Sequence, residues 1–390
     1  MLNSKKILLC VTGGIAVYKA VDLASKFTKL GAEVRTIMTT SACEFVSPLT
    51  FKSITHQKVV TKMFDPEADI EHISLADWAD IVVIAPATAN IIGKIAGGIA
   101  DDLLSTTIMA TTAPVLIVPA MNIHMYENPI VQQNIKKLSD LGYLFMEPEY
   151  GKLACGYEGK GRFPKTVEIC YFTKTFLDHK RDLLKQNILI TAGANIENID
   201  PMRFISNRSS GKMGLALARA AHIRGAKVKF VHAKVLVEIP EYIDAVETLT
   251  AQEMYDAVIQ EFPNDDIIFK TAAVADFTPA NKAENKIKKD KSMSLELTRT
   301  KDILAELGKQ KTKNQILIGF AAESEDIIDN ARKKLKAKNL DFIVANDLKV
   351  AGNDNTSVTL IDKNSETKIE GDKFAVANLI LDEIIGSRSE

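Results

Sequence analysis

Lys6-Ile-Leu-Leu-Cys-Val-Thr-Gly-Gly-Ile-Ala-Val-Tyr-Lys19 decides the fold. A continuous apolar, β-rich run ends in two glycines and passes straight into a helical pattern. An apolar run without alternation fits a strand buried on both faces, which is the condition of a parallel sheet covered by helices. Two glycines between strand and helix let an anion approach the backbone at a helix N-terminus, with Thr12 as a side-chain donor. The same alternation continues outward. Strands are expected at Lys6–Val11, Glu33–Thr39, Asp80–Pro86 and Val115–Ala120, with helices at Ala16–Leu30 and Ile91–Ala110.

The pattern then restarts. Asn187-Ile-Leu-Ile-Thr-Ala192 reads as a second first strand, followed by a glycine-bearing loop and a helix over Leu215–Arg224. Further strands are expected at Lys227–Ala233, Ile267–Ala273, Gln315–Ala321, Phe342–Asn346 and Ser357–Asp362. The charged segment Thr173–Gln186 reads as a closing helix and junction. The expectation is an α/β protein of two doubly wound Rossmann-like domains, 1–186 and 187–390.

Composition narrows the function classes. The 390 residues carry 49 basic and 50 acidic side chains, so no global field draws the chain to nucleic acid or an anionic membrane. Cys10, Cys43, Cys155 and Cys170 lie far apart without a C-x-x-C pair, which argues against a disulfide scaffold or zinc ribbon. No apolar run approaches ~18 residues, so a reduced, cytoplasmic protein is expected.

In an open α/β sheet the loops after the strands hold the ligand. The full G-x-G-x-x-G is missing after the first strand, and the second ends in Met38-Thr-Thr-Ser41 rather than in an acidic residue for an adenosine ribose. Such hydroxyls suit a phosphate or the polar edge of a flavin. The third strand ends in Ala85-Pro-Ala-Thr-Ala-Asn90 and the fourth in Pro119-Ala-Met-Asn-Ile-His-Met125, where Asn122 either grips a carboxylate or caps a turn. Gly151-Lys-Leu-Ala-Cys-Gly-Tyr-Glu-Gly-Lys-Gly-Arg162 places Cys155 in a glycine- and base-rich flap, a setting for proton transfer rather than core packing.

TGGIAVYK, HISLADWAD, APATAN, PAMNIHM and ACGYEGKGR, in this order, closely resemble the flavin-dependent cysteine decarboxylase family. The resemblance implies a Rossmann-like fold and bound FMN, with Gly13, Gly14, Thr39, Thr88, Asn90, Ser105 and Thr106 in FMN-contacting segments. It matches His72 to the active-site histidine, Asn122 to the asparagine on the substrate carboxylate, and Cys155 to the proton donor. The family chemistry implied is oxidation of the substrate thiol by FMN, which creates an electron sink for loss of CO₂. This chain departs from the family at Tyr157, commonly acidic, and at Phe163, commonly Met.

In the second half, Phe204-Ile-Ser-Asn-Arg-Ser-Ser-Gly-Lys-Met-Gly214 imitates a Walker A loop and fails as one. Ser206 stands where the first glycine belongs, and Met213 occupies the Mg²⁺-binding hydroxyl position. A hydroxyl- and glycine-rich helix start remains, where Ser209 and Ser210 either meet an anion or merely cap. Asp276 ends a buried strand and is a candidate Mg²⁺ ligand. Lys334 and Lys338 share a helix face at i,i+4.

ITAG, IDPMRFISNRSSGKMG, AAVADF, KIKK, GFAAE and ANDL resemble the ligase half of bifunctional phosphopantothenoylcysteine decarboxylase/phosphopantothenate–cysteine ligases. There, 4′-phosphopantothenate is activated by CTP and Mg²⁺ as an acyl-cytidylate that cysteine attacks. Asn207 matches the asparagine that handles this intermediate, and Arg203 an arginine lent by a neighbouring subunit. Lys286 matches a charge-stabilising lysine. Ser209, Gly211, Lys270, Thr271, Ala272, Asp276, Lys301, Asp302, Ile303, Leu304, Phe320, Lys334 and Lys338 fall at substrate- or CTP-contacting positions. Ala194-Asn195 replaces the usual Pro-Thr, and Thr300-Lys301 an Asn-Pro. The resemblance also implies a homo-oligomer, a dodecamer built on decarboxylase trimers and ligase dimers. The rivals are a flavoprotein acting on another carboxylate, and a flavin- and nucleotide-binding regulatory module without catalysis.

Overall fold

A computed structural model describes residues 2–64, 71–154, 156–240, 242–288, 294–323, 326–347 and 355–387. The chain divides into two compact units, Met1–Asp178 and His179–Glu390.

The first unit is built on strands β1 (Lys6–Val11), β2 (Glu33–Met38), β3 (Val59–Val60), β4 (Ile81–Ala87), β5 (Val115–Pro119) and β6 (Leu144–Phe145). All neighbours are parallel, in the order β3-β2-β1-β4-β5-β6. The order reverses beside β1, which opens a crevice at the carboxyl ends of β1 and β4. Every residue of β4 is buried, as the absence of alternation predicts. Leu9, Val11, Val83 and Ala85 face one helical layer, and Leu8, Cys10, Val82 and Ile84 the other. Each such side chain contributes roughly 1.5–3 kcal/mol of burial, so the central sheet holds this unit together. Strands β7 (Glu149–Lys152) and β8 (Glu158–Arg162) form a separate antiparallel hairpin with alternating, half-exposed residues.

The second unit repeats the plan and extends it. Its strands are β9 (Asn187–Ala192), β10 (Ile196–Asn198), β11 (Phe204–Ser206), β12 (Lys227–His232), β13 (Asp244–Glu247), β14 (Ile267–Lys270), β15 (Phe277–Pro279), β16 (Leu297–Arg299), β17 (Ile316–Glu323), β18 (Phe342–Asp347), β19 (Asn355–Ile361) and β20 (Glu366–Asp372). Eight of them form one sheet in the order β13-β12-β9-β14-β17-β18-β19-β20. Neighbours from β13 to β18 are parallel, and β19 and β20 add an antiparallel edge. The two-stranded ribbons β10–β11 and β15–β16 stand apart from it.

Three sequence expectations need correction. The helix expected over Ile91–Ala110 is two helices, Ala89–Gly97 and Leu103–Ala110. Gly98 takes a left-handed φ of 67° and stops the first, and a capping box of Asp102 and Ser105 starts the second. The closing helix begins earlier than expected and runs Thr166–His179. The structural junction precedes residue 186, because the intervening residues belong to the second unit. Arg224, 1% exposed, pairs with Asp182 at 2.6 Å and Asp382 at 2.8 Å, while Leu183 N–H donates to the Arg224 carbonyl at 2.9 Å. A buried arginine needs such partners, and they tie 182–183 to this unit.

Candidate functional sites at the carboxyl ends of the two sheets

In the first unit, three strand ends meet around the glycine loop. A Cβ on Gly13 would lie 2.3 Å from Ser41 Cβ, so the β2 loop can pack here only against a glycine. Thr12 is not the ligand donor its position suggests. Its hydroxyl donates to Pro86 O at 2.7 Å and accepts from Thr88 N–H at 3.2 Å, so it staples the β1 loop to the β4 loop. Thr39 and Thr88 are N-caps, accepting from Ala42 N–H and Ile91 N–H. Asn90 is exposed on the first turn of the following helix. Ser105 is fully buried, and its hydroxyl is engaged with Asp102. Its neighbour Thr106 has a buried hydroxyl with no hydrogen-bond partner, a group left ready for a ligand. Glycines, hydroxyls, an amide and helix N-termini are the donor set that a flavin phosphate and ring edge require.

Asn122 takes the capping role. Its Oδ1 accepts from His124 N–H at 2.8 Å and caps the short helix Ile123–Tyr126, holding the side chain at the end of β5. The β7–β8 hairpin docks on this turn. Met121 N–H donates to Gly161 O at 3.0 Å, and a Cβ on Gly161 (φ 151°) would fall 2.2 Å from Met121 O. The ring of Tyr157 meets His124 edge-on at 5.1 Å. Thus Asn122 and the flap are brought together. Cys155 lies between the hairpin strands but outside the described residues. His72 is half-buried at the start of the helix Glu71–Trp78. Burial pushes the Cys170 thiol up to about 12, and the Cys10 thiol higher still, so neither is a rival proton donor.

In the second unit a cavity of about 1430 Å³ opens over the ends of β9, β14, β17 and β18. It gathers most of the expected positions: Asn207, Ser209, Gly211, Lys270, Thr271, Ala272, Asp276, Lys301, Asp302, Ile303, Leu304, Phe320, Lys334 and Lys338 all line it. Ser210 Oγ accepts from Lys212 N–H at 3.5 Å at the start of the helix Lys212–Ile223. Its N-cap is Gly211, left-handed at φ 74°, with no side-chain hydrogen bond. Asn207 Nδ2 donates to Val274 O at 3.1 Å, fixing the amide against the Ala272–Asp276 loop. Lys338 pairs with Asp302 at 2.7 Å, and Asp302 also caps the helix Ile303–Gln310. The Lys338 ammonium and the Ala305 N–H hold the Asp302 carboxyl below its ordinary range against the opposing effect of burial. Burial and the ammonium groups of Lys334 and Lys338 lower Lys270 to about 7, and its Nζ donates to Ala272 O at 2.7 Å.

Two expected residues stay off the cavity wall. Arg203 donates to Ile287 O at 3.4 Å, and Ile287 N–H to Asp200 at 3.2 Å, which pins the loop bearing the exposed Lys286 to the β10–β11 ribbon. Asp276 is exposed, and among the described residues no three His, Cys, Asp or Glu side chains converge as a metal site. Sequence reasoning missed Asn346 and Thr356. Both line the cavity, and Asn346 Oδ1 and Thr356 Oγ1 are buried without hydrogen-bond partners. The available signal was a polar residue ending the apolar run of β18. Thr356 gave none, because an antiparallel partner entering from the far edge leaves no local trace. Among the described residues, no helix is long and apolar enough to cross a membrane.

Known proteins agree with this division. Residues 1–178 match the flavoprotein family, and residues 183–387 match the DNA/pantothenate metabolism flavoprotein C-terminal domain. The coenzyme A biosynthesis bifunctional protein CoaBC of Bacillus subtilis is 52% identical over 358 residues, covering 90% of this chain and 88% of that protein. Its counterpart in Borreliella burgdorferi is 43% identical over 386 residues, covering 98% and 99%. A crystal structure of the C-terminal domain of a CoaBC protein aligns with 54% of this chain and 100% of its own, at 40% identity and a TM-score of 0.47. With both halves matched and these relatives covered almost end to end, the chain belongs to the CoaBC family of bifunctional coenzyme A biosynthesis proteins.

Proposed function

We propose that the two units catalyse consecutive steps. The second joins 4′-phosphopantothenate to cysteine through an acyl-cytidylate formed with CTP, and the first decarboxylates the phosphopantothenoylcysteine to 4′-phosphopantetheine. The single observation that carries this reading is the cavity over β9, β14, β17 and β18. It combines the helix N-terminus at Gly211 and Lys212 with the lysines of two further elements and the amide of Asn207. A helix N-terminus and ammonium groups favour a polyphosphate, and an amide orients an acyl group without adding charge.

In the ligase unit, Lys334 and Lys338 would neutralise the nucleotide phosphates, and Phe320 would offer a face to the base. Mg²⁺ would arrive with the triphosphate, with Asp276 as its one protein carboxylate, and would supply Lewis-acid charge neutralisation. Asn207 would hold the activated carboxyl while cysteine displaces CMP. Lys286 would reach the phosphates from its ribbon-anchored loop, and Arg203 would serve a neighbouring subunit in a homo-oligomer.

In the decarboxylase unit, FMN fits the glycine–hydroxyl cradle, and Gly13, Gly14, Thr39, Thr88, Asn90 and Thr106 would hold it. Bound there, it supplies the two-electron chemistry that an amino-acid side chain cannot. Asn122 would hold the substrate carboxylate, His72 would line the reacting end, and Cys155 would deliver the proton to carbon after CO₂ leaves. The docking of the flap on the Asn122 turn supports this pairing, because it sets the cysteine-bearing hairpin against the residue that would hold the carboxylate.

The test is turnover of phosphopantothenate and cysteine with Mg²⁺ and either CTP or ATP, following CO₂ and phosphopantetheine. CTP-dependent formation of both products is expected. Ligation with ATP alone would overturn the nucleotide assignment, and ligation without CO₂ would overturn the role of the first unit.

A further inference from the structure

Past the strand ends, the floor of the ligase cavity keeps the order of the sheet. Lys234 follows β12, Ala194 follows β9 and Ala273 follows β14, and Ala194 bridges to both of the others. Asn207 is fixed over the last of these: its Nδ2 donates to Ala273 O at 3.4 Å and to Val274 O at 3.1 Å. Farther along stand Phe320 of β17 and Lys334, whose Nζ donates to Phe320 O at 3.4 Å. In the sheet, β12 and β17 are three strand intervals apart, about 14 Å. Asn207 therefore lies between two walls of one cavity, and a polyphosphate drawn to Lys334 and Lys338 fills only one side.

The other wall has a different composition. Lys234, Phe204 and Leu236 line it, with Phe204 49% and Leu236 72% exposed. The Lys234 ammonium stands over the Phe204 ring at 6.0 Å, and among the described residues it has no carboxylate partner. That separates it from Lys338, which is paired with Asp302 at 2.7 Å. The backbone beneath is held on both sides. Ala194 N–H donates to Lys234 O at 3.0 Å, and Leu236 N–H to Ser210 O at 3.0 Å. A Cβ on Gly211, left-handed at φ 74°, would lie 2.4 Å from Val235 Cγ1, so this segment packs directly on the helix start. An exposed apolar pair beside an unpaired ammonium suits a ligand end that is branched and apolar yet carries an anion.

We propose that Lys234, Phe204 and Leu236 form the subsite for the far end of the acyl substrate, with the ammonium on its phosphate and the two apolar side chains against its gem-dimethyl carbon. This rests on reading the second unit as the ligase that uses 4′-phosphopantothenate. With the activated carboxyl at Asn207 and the nucleotide toward Lys334 and Lys338, the rest of that acid extends toward β12. The carbon bearing its two methyl groups is one methylene from the phosphate ester. Cation and apolar surface must then be neighbours, as Lys234 and Phe204 are. Binding covers the exposed ring and the Leu236 side chain, which adds apolar burial to the ion contact. The consequence is selection. Pantothenate without its phosphate carries the same reacting carboxyl, so only contacts at this end can tell the two acids apart.

The test is CTP-dependent pyrophosphate release by the full-length protein with Mg²⁺ and cysteine, with KM measured for phosphopantothenate and for CTP. Lys234→Met is expected to raise the phosphopantothenate KM roughly 5–10-fold, with kcat and the CTP KM within about twofold of wild type. Lys234→Arg should recover most of the loss, and Leu236→Ser should raise the same KM about threefold. Added salt should raise the phosphopantothenate KM more steeply in wild type than in Lys234→Met, because the variant lacks the ion contact. A phosphopantothenate KM unchanged in Lys234→Met would overturn the subsite and leave the ligase reading standing, as would a rise confined to the CTP KM. An equal rise in Arg208→Met, at another cavity position, would trace the effect to a diffuse field and overturn the subsite too. Absence of CTP-dependent release by wild-type protein would overturn the ligase reading itself, and the subsite with it.

Discussion

The two units begin with the same strand order and use its crevice in opposite ways. The first carries uncharged groups at and after its strand ends: Thr39, Thr88, Asn90 and Asn122. The second lines a cavity over the corresponding strand ends with Lys270, Lys301, Lys334 and Lys338. A flavin brings its own electronics, so its cradle needs shape, hydrogen bonds and a proton donor. A nucleoside triphosphate brings negative charge, so its site must supply cations. The contrast shows why an almost neutral total of 49 against 50 charges conceals two chemically different sites. It also implies that each can be disabled without the other.

The harshest test of that independence is Gly14→Asp. A carboxylate placed where an anion approaches the backbone should leave purified protein colourless and abolish decarboxylation, with CTP-dependent ligation intact. Flavin absorbance and pyrophosphate release measure the two halves; a yellow variant would break the cradle assignment. Cys155→Ser comes next. Loss of a proton donor is expected to slow product formation by roughly 10²–10⁴-fold while CO₂ still leaves, so an oxidised enethiol should accumulate. Mass spectrometry of the quenched reaction detects it, and wild-type rates of aminothiol formation would contradict the role. Lys286→Gln should act on the other half, lowering pyrophosphate release by about 10²-fold and sparing decarboxylation of supplied phosphopantothenoylcysteine. Equal losses in both assays would show that the sites are coupled.

The parts of this architecture legible in the sequence are those governed by burial. β1, β4, β9 and β14 read as strands because sheets covered on both faces demand continuous apolar runs. Asn122 and the lysines of the ligase cavity were legible through their places after such strands and through their family motifs. What escaped depends on contacts distant in sequence. Thr12 and Ser105 look like free hydroxyls, but one is engaged by Pro86 and the other by Asp102. Thr356 enters the cavity from β19, an antiparallel strand paired between β18 and β20, so no neighbouring motif announces it. The polar Thr173–Gln186 stretch resembles a linker until Arg224 is seen to need Asp182. The break at Gly98 hides in an otherwise helical apolar pattern.

The smallest effect tests whether charge in the second unit is costly away from its ligand cavity as well. Asp265 lies at the opposite end of β14, 8% exposed, where burial first and then Glu261 and Asp266 raise its carboxyl to about 7. The Lys229 ammonium opposes this only weakly, being paired with Asp244 at 2.6 Å. An acid whose folded value exceeds its unfolded one binds more protons when folded, so stability falls as pH rises from about 4 to about 7. The whole cost is present above pH 7 and absent near pH 4. Asp265→Asn removes the charge but keeps the shape. The Asp265 carbonyl, which accepts from Gln315 at 2.9 Å, is untouched. The variant should therefore gain roughly 1–2 kcal/mol at pH 8, a rise in Tm of about 2–8 °C, and gain nothing at pH 4. Thermal unfolding at the two pH values measures this. A gain equal at both would trace to packing rather than to charge.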